Sequence, residues 1–298
     1  MKKVELSSSM KNDWEKRIQI AILNELSLLT DWDSNSLVFH GGTSLHLSWQ
    51  SPRFSEDLDF MIANQKINFI EETMKSVFNK VQNNFLAIDP FFKINIKVKS
   101  RREGGLQSYL ISVQHDYYIG SAKVKIEFWG VDNDFLTKYK SELKQLRSGQ
   151  DINVSIAGFL PVASLEAAYC DKLVALSTRP FLKWRDLFDI WWLRTQNNIN
   201  PLKNNQQFIN SFKHNLSAYS VPDDLTLETS LDRYLNWNVD NIVKKSEEDL
   251  KKWLAPELWK KIYPQIVEQM VILVMEDVKE LKQQLFNKTN LNYKGPSL

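Results

Sequence analysis

Asp57 and Asp59 alternate with Leu58 and Phe60 in the stretch Arg53-Phe54-Ser55-Glu56-Asp57-Leu58-Asp59-Phe60. In an extended chain successive side chains point to opposite faces, so an apolar face carrying Leu58 and Phe60 leaves both carboxylates on the other. Two hard oxygen ligands on one side suit Mg²⁺, which favours one or two carboxylates plus substrate phosphates over a full protein cage. Ser55 joins that face if the strand already begins there, and Arg53 stands at the approach to it. Upstream, Val38-Phe39-His40-Gly41-Gly42-Thr43-Ser44-Leu45 reads as a strand, a glycine turn and a helix start. Gly41 and Gly42 tolerate positive φ and let backbone N–H groups approach an anion, while Thr43 and Ser44 open a helical turn whose N-terminus faces the same spot. The pattern is a phosphate seat beside a divalent-ion site. A lone Asp-x-Asp also fits a solvated edge strand; the order of glycine pair, helix start and acidic pair is what separates the two readings.

These residues need a sheet and helices to hold them. Trp14, Ile18, Ala21, Ile22, Leu26 and Leu29 recur at helical spacing and predict an amphipathic helix over 13–29 laid against the sheet. Ile70, Met74, Val77 and Phe78 predict a second helix over 67–81. Residues 92–99 alternate strictly, with Lys93, Lys97 and Lys99 on one face and Arg101-Arg102 beyond. That basic row serves either a substrate backbone or the protection of an edge strand. Strands are also expected over 107–114 and 121–129. In the second of these, Val124, Ile126 and Phe128 share one face, and Glu127 rises among Lys123 and Lys125 on the other, as a site carboxylate or as a cross-strand partner for a lysine.

The charged stretch 134–147 is expected to be a solvated helix. Pro161 is expected to open a helix over 162–176 that carries Lys172, and a further helix over 183–193 carries Asp186 and Asp189 one turn apart. For Lys172 the alternative is an ammonium snorkelling from a packed helix; for the two aspartates it is surface pairing with Lys183 or Arg185. The remainder is polar and helical, with starts near Pro222 and Pro256 and a long last helix over 263–287. Its tryptophans, Trp237, Trp253 and Trp259, alternate with lysine pairs, as in a helical bundle with solvated lysines or, less economically, an RNA-binding face.

Composition bounds the reading without naming a partner. The 298 residues carry 38 basic and 36 acidic side chains, a net charge of +2, so nucleic-acid binding would have to come from local patches. Hydrophobic content of 43% describes a packed globular chain. The single cysteine, Cys170, excludes an internal disulfide or a cysteine-built zinc site and fits a reducing compartment. No apolar h-region follows Met1-Lys2-Lys3, and the apolar run 270–275 is too short to span a bilayer, so a cytoplasmic protein without membrane contact is expected.

The glycine pair, the Thr43-Ser44 start and the run from Arg53 to Phe60 closely resemble the first motif of the AbiEii-type toxin nucleotidyltransferases, a branch of the DNA polymerase β-like superfamily. Asp171-Lys172-Leu173-Val174-Ala175-Leu176 with Arg179, and Arg185-Asp186-Leu187-Phe188-Asp189, resemble its later motifs, in which a helical lysine and a downstream aspartate accompany the metal site. The resemblance covers about residues 36–195. It implies an α+β fold, a polymerase β-like mixed sheet flanked by helices and followed by a helical C-terminal region, with the division near 158/159. It implies a Mg²⁺-dependent transfer of a nucleoside monophosphate from an NTP to an acceptor hydroxyl. Asp57, Asp59 and Glu127 would be the metal carboxylates, Glu127 alternatively activating the acceptor. Gly41, Gly42, Thr43, Ser44, Arg53 and Ser55 would bind nucleotide. Lys172 would neutralise the leaving pyrophosphate, a task that suits a compact ammonium on a flexible stem, with Asp186 or Asp189 as the accompanying aspartate. The acceptor implied is the end of a tRNA, and the role a growth-inhibiting toxin held by a cognate antitoxin. Two alternatives stand beside it: transfer to a small molecule or protein, and a catalytically silent binding module on the same fold.

Overall fold

The computed structural model describes residues 3–29, 32–102, 105–147, 156–196, 205–219 and 226–286. The chain divides into two compact units, 1–164 and 165–298.

In chain order the first unit comprises β1 (Val4–Glu5), α1 (Ser8–Ser27), β2 (Leu37–His40), α2 (Gly41–Trp49), β3 (Leu58–Ala63), α3 (Ile70–Ile88), β4 (Phe92–Arg102), β5 (Leu106–His115), β6 (Tyr118–Ile119), β7 (Ala122–Val131), α4 (Asn133–Lys138), β8 (Ser141–Lys144) and β9 (Leu160–Ala163). Seven strands form one mixed sheet in the order β4-β5-β7-β3-β2-β9-β8, with β1 and β6 paired separately. Within the seven-stranded sheet the β3–β7 and β2–β9 pairs are parallel and the other ladders antiparallel; the separate β1–β6 pair is parallel. Alternation sorts the sheet's faces. Leu58, Phe60 and Ile62 of β3 join Val124, Ile126 and Phe128 of β7 in a core with Ile18, Ile22 and Leu26 of α1 and Met74, Val77 and Phe78 of α3. An aromatic row crosses its centre: Phe39 lies 5.0 Å from Phe60, which stacks on Phe128 at 4.9 Å. Asp59 and Glu127 therefore occupy the opposite face.

Two expectations are corrected here. The stretch 134–147 is not one solvated helix: α4 ends at Lys138, and Ser141–Lys144 pairs with β9 as the last strand of the sheet. Pro161 and Val162 do not open a helix either, because Leu160–Ala163 is a strand with all four residues buried. A short apolar run buried on both faces has no period of its own to tell strand from helix. The basic row of β4 lies on the sheet's outermost strand, and Lys93 is paired with Asp116.

The second unit is helical: α5 (Leu165–Thr178), α6 (Trp184–Arg194), α7 (Gln206–Leu216), α8 (Leu227–Leu235), α9 (Val239–Asp249), α10 (Pro256–Ile262) and α11 (Gln265–Phe286). Pro256 supplies an N-terminal turn, where its missing N–H costs nothing; the start expected near Pro222 lies outside the described residues. Met270, Val271, Val274 and Val278 of α11 are fully buried with Leu187 and Phe188 of α6 and Phe208 and Phe212 of α7. Trp259 stacks on Tyr263, Trp237 meets Tyr234 edge-on, and Trp253 lies beneath Arg185. These tryptophans pack within the bundle while Lys244, Lys245, Lys251, Lys252, Lys260 and Lys261 are exposed. Among the described residues no helix is long and apolar enough to cross a membrane.

Candidate active site

In the first unit the turn from β2 into α2 meets the start of β3. Gly41 has φ 81°, the left-handed region that favours glycine. A Cβ there would stand 2.6 Å from Asp59 Oδ2, so the carboxylate occupies the room that a side chain would fill. The first amides of α2 have no carbonyl partner within the helix and carry its positive dipole end. Asp59 thus lies against an amide-rich, anion-favouring corner. Gly42 is equally crowded: a Cβ would collide with the guanidinium of Arg53 and stand 2.8 Å from Ser55 Oγ. Both glycines are required by close approach.

The loop carrying Asp57 is pinned through its backbone. Gln19 of α1, 3% exposed, donates to the carbonyls of Ser55 at 3.0 Å and Glu56 at 2.9 Å. The Thr43 hydroxyl donates to the Asp57 carbonyl, and the Ser44 hydroxyl to the Phe39 carbonyl at 3.1 Å. The hydroxyls of Thr43 and Ser44 thus fasten the turn. Arg53 is buried, with a bond of 2.6 Å to the Phe54 carbonyl. It lies inside the loop and not at its approach. Asp57 precedes the first residue of β3, and both aspartates are half-buried.

Glu127 of β7 is in register with Asp59 across the parallel β3–β7 ladder. Its carboxylate takes an ion pair of 2.7 Å with Lys125, a lysine on its own strand. Among the described residues no three His, Cys, Asp or Glu are gathered to hold a metal ion by themselves. The donor set fits a divalent ion that takes part of its shell from substrate: Asp57 and Asp59 carry hard oxygens, and Asp59 lies against the first turn of α2. Mg²⁺ coordination has this form.

In the second unit Lys172 of α5 is held between two aspartates of α6, at 2.8 Å from Asp186 Oδ1 and 2.7 Å from Asp189 Oδ2. Arg179 closes on the other oxygen of Asp186. Both aspartates are buried, at 2% and 0% exposure. Burial pushes the Asp186 carboxyl upward, but the Lys172 and Arg179 cations outweigh it and bring it down to about 2. These ion pairs come from another helix, a contact that no single-helix pattern encodes, whereas the alternative reading paired the aspartates with Lys183 or Arg185 on their own. Burial, reinforced by the nearby Arg179 and Arg185, lowers the Lys183 ammonium.

The sequence reading missed a second buried polar cluster. Tyr169 donates to Asp277 Oδ2, and Arg194 pairs with Asp277 Oδ1 at 2.9 Å. Burial raises the Asp277 carboxyl to about 6 despite both contacts. A signal was present: Asp277 falls on the same helical stripe as Met270, Val274 and Leu281, where an acid needs partners. Gln19, which fixes the Asp57 loop, gives no comparable sign.

The chain matches the family described as "Nucleotidyl transferase AbiEii toxin, Type IV TA system" over residues 26–283. No curated protein matches it. Among solved structures, JHP933 from Helicobacter pylori aligns with 20% identity and a TM-score of 0.50 over 96% of this chain and 97% of its own. MenT4, a nucleotidyltransferase toxin from Mycobacterium tuberculosis H37Rv, aligns with 19% identity and a TM-score of 0.50 over 97% and 87% respectively. At such identities the likeness is one of fold, while the family match spans most of the sequence. With the match running over residues 26–283, this chain belongs to the AbiEii nucleotidyltransferase toxins.

Proposed function

We propose that the chain transfers a nucleoside monophosphate from an NTP to an acceptor hydroxyl, with Asp57 and Asp59 as ligands for Mg²⁺ and the amides of Gly41 and Gly42 as the phosphate seat. The observation that carries this is the approach of Asp59 Oδ2 to Gly41, and it supports the carboxylate oxygen and the first amides of α2 serving one polyphosphate. When bound, Mg²⁺ would neutralise phosphate charge and polarise the reacting phosphorus. The acceptor oxygen bonds to the α-phosphorus, the bond from that phosphorus to the bridging oxygen breaks, and pyrophosphate leaves with the electron pair. Glu127, one strand from Asp59, takes the acceptor proton. Thr43, Ser44, Arg53 and Ser55 hold the turn and loop in shape. Lys172 meets the charge that accumulates on pyrophosphate, and Asp186 and Asp189 hold its ammonium in place.

Family membership sets aside the reading as a silent binding module. The acceptor we propose is the 3′ end of tRNA, with growth inhibition as the outcome and an antitoxin protein as the counterpart. Incubation of the pure chain with Mg²⁺, each labelled NTP in turn and fractionated RNA should label tRNA. Asp57→Ala and Asp59→Ala should lower labelling by about 10³-fold, the several kcal/mol a metal site contributes. Label on a small molecule or protein with RNA untouched would replace the acceptor. Equal labelling by wild type and Asp57→Ala would overturn the site.

A further inference from the structure

The helices after α6 carry none of the motif residues, yet they grip both ends of the α5–α6 connection. The last carbonyls of α5 lack partners within their own helix. Tyr234 of α8 donates its hydroxyl to the Leu176 carbonyl at 2.7 Å. Burial raises that phenol to about 12, so it remains a donor at physiological pH. Its neighbour Arg233 donates to the carbonyls of Arg179 at 2.7 Å and Pro180 at 2.8 Å. The same guanidinium is fixed in turn by Ser230, whose hydroxyl accepts at 2.7 Å. A cation at the negative end of α5 is also favoured by the helix dipole. At the other side of the connection, Asp249 at the end of α9 accepts the N–H of Trp184, the first residue of α6, at 3.2 Å.

We propose that Arg233 is a positioning residue for the Lys172 cluster, acting through Arg179; the proposal rests on Lys172 serving the transfer reaction. The chain of contacts is short. Arg233 fixes the backbone carbonyl of Arg179, the Arg179 side chain holds one oxygen of Asp186, and Asp186 holds the Lys172 ammonium with its other. Residue 179 is the first beyond α5, where no helix hydrogen bond would keep its carbonyl in place. Its orientation is therefore set from outside, by α8. This gives α8 a part in the reaction without any of its residues touching substrate.

A double-mutant cycle tests it on the full chain, with labelling rates measured well below the unfolding temperature. Arg233→Ala should lower kcat about tenfold with KM for the NTP within twofold, since small misplacements of a charge acting on the transition state are costly. Arg233→Lys, which keeps the cation but not the fork, should recover part of the loss. On an Arg179→Ala background, Arg233→Ala should cost less than twofold, because the route it acts through is already cut. The same tenfold loss on both backgrounds, or no loss on either, overturns the proposal. If Arg233→Ala does not fold, Arg233→Lys in the same cycle decides: a loss of about threefold that vanishes with Arg179→Ala supports the proposal, and a loss that persists overturns it. Full activity in Lys172→Ala would instead refute the reading of Lys172 itself, whatever Arg233 does.

Discussion

Asp57 and Asp59 are half-buried at the start of a strand, with Asp59 against the amide end of a helix, whereas Asp186 and Asp189 are buried on a helix with an ammonium between them. A helix end offers only a partial positive charge, and the half-buried first pair stays in touch with solvent. The second pair has lost its water, and full charges from Lys172 and Arg179 answer it. The same residue type at nearly the same spacing therefore sits in two environments. Burial distinguishes the pair proposed as metal ligands from the pair that holds a lysine.

The contrast breaks most readily at Lys172. Lys172→Ala leaves Asp186 and Asp189 buried with reduced compensation and should cost about 3–5 kcal/mol of stability in chemical denaturation. A loss below about 1 kcal/mol would mean that the aspartates do not depend on it. Acid gives the next effect. The Asp186 carboxyl lies below its ordinary value of 3.8, at about 2. Its stabilisation is therefore complete above the ordinary value and is lost as pH falls toward 2, on the order of 2 kcal/mol. Denaturation curves from pH 5 to 2 should fall more steeply for wild type than for Asp186→Asn; parallel curves would deny the charge match. The smallest effect concerns the first pair. Gly41→Ala places a methyl group against Asp59 in a left-handed backbone and should cost about 1–2 kcal/mol, read as a lower melting temperature, and it should weaken nucleotide labelling. An unchanged protein would show that Asp59 can leave the corner freely.

Much of the first unit was legible because its strands alternate: Lys123 to Phe128 sort by face as β7, and Phe92 to Lys99 as β4. Where alternation stopped, legibility stopped. Leu160-Pro161-Val162-Ala163 is buried throughout, and the polar Ser141–Lys144 is a strand because β9 offers it a ladder. At the acidic strand the sequence identified residue types and order, but not that Gly42 is small because Arg53 folds back on it, nor that the hydroxyls of Thr43 and Ser44 are spent on backbone carbonyls. Helix periodicity found α5 and α6 and could not pair them. Which lysine answers Asp186 is decided by how two helices cross, and Arg233 and Asp249 enter that crossing from helices whose sequences carry no motif at all.

The contact of Tyr169 and Arg194 with Asp277 bears on that crossing. An apolar helix lying in an apolar groove can roll about its axis at little cost, since one methyl group is much like another. A phenol aimed at one carboxylate oxygen permits a single azimuth. Tyr169 sits one turn before Lys172 on α5, so the bond that keys α5 to α11 also indexes where the ammonium points, as a flat on a shaft sets the angle of the wheel mounted on it.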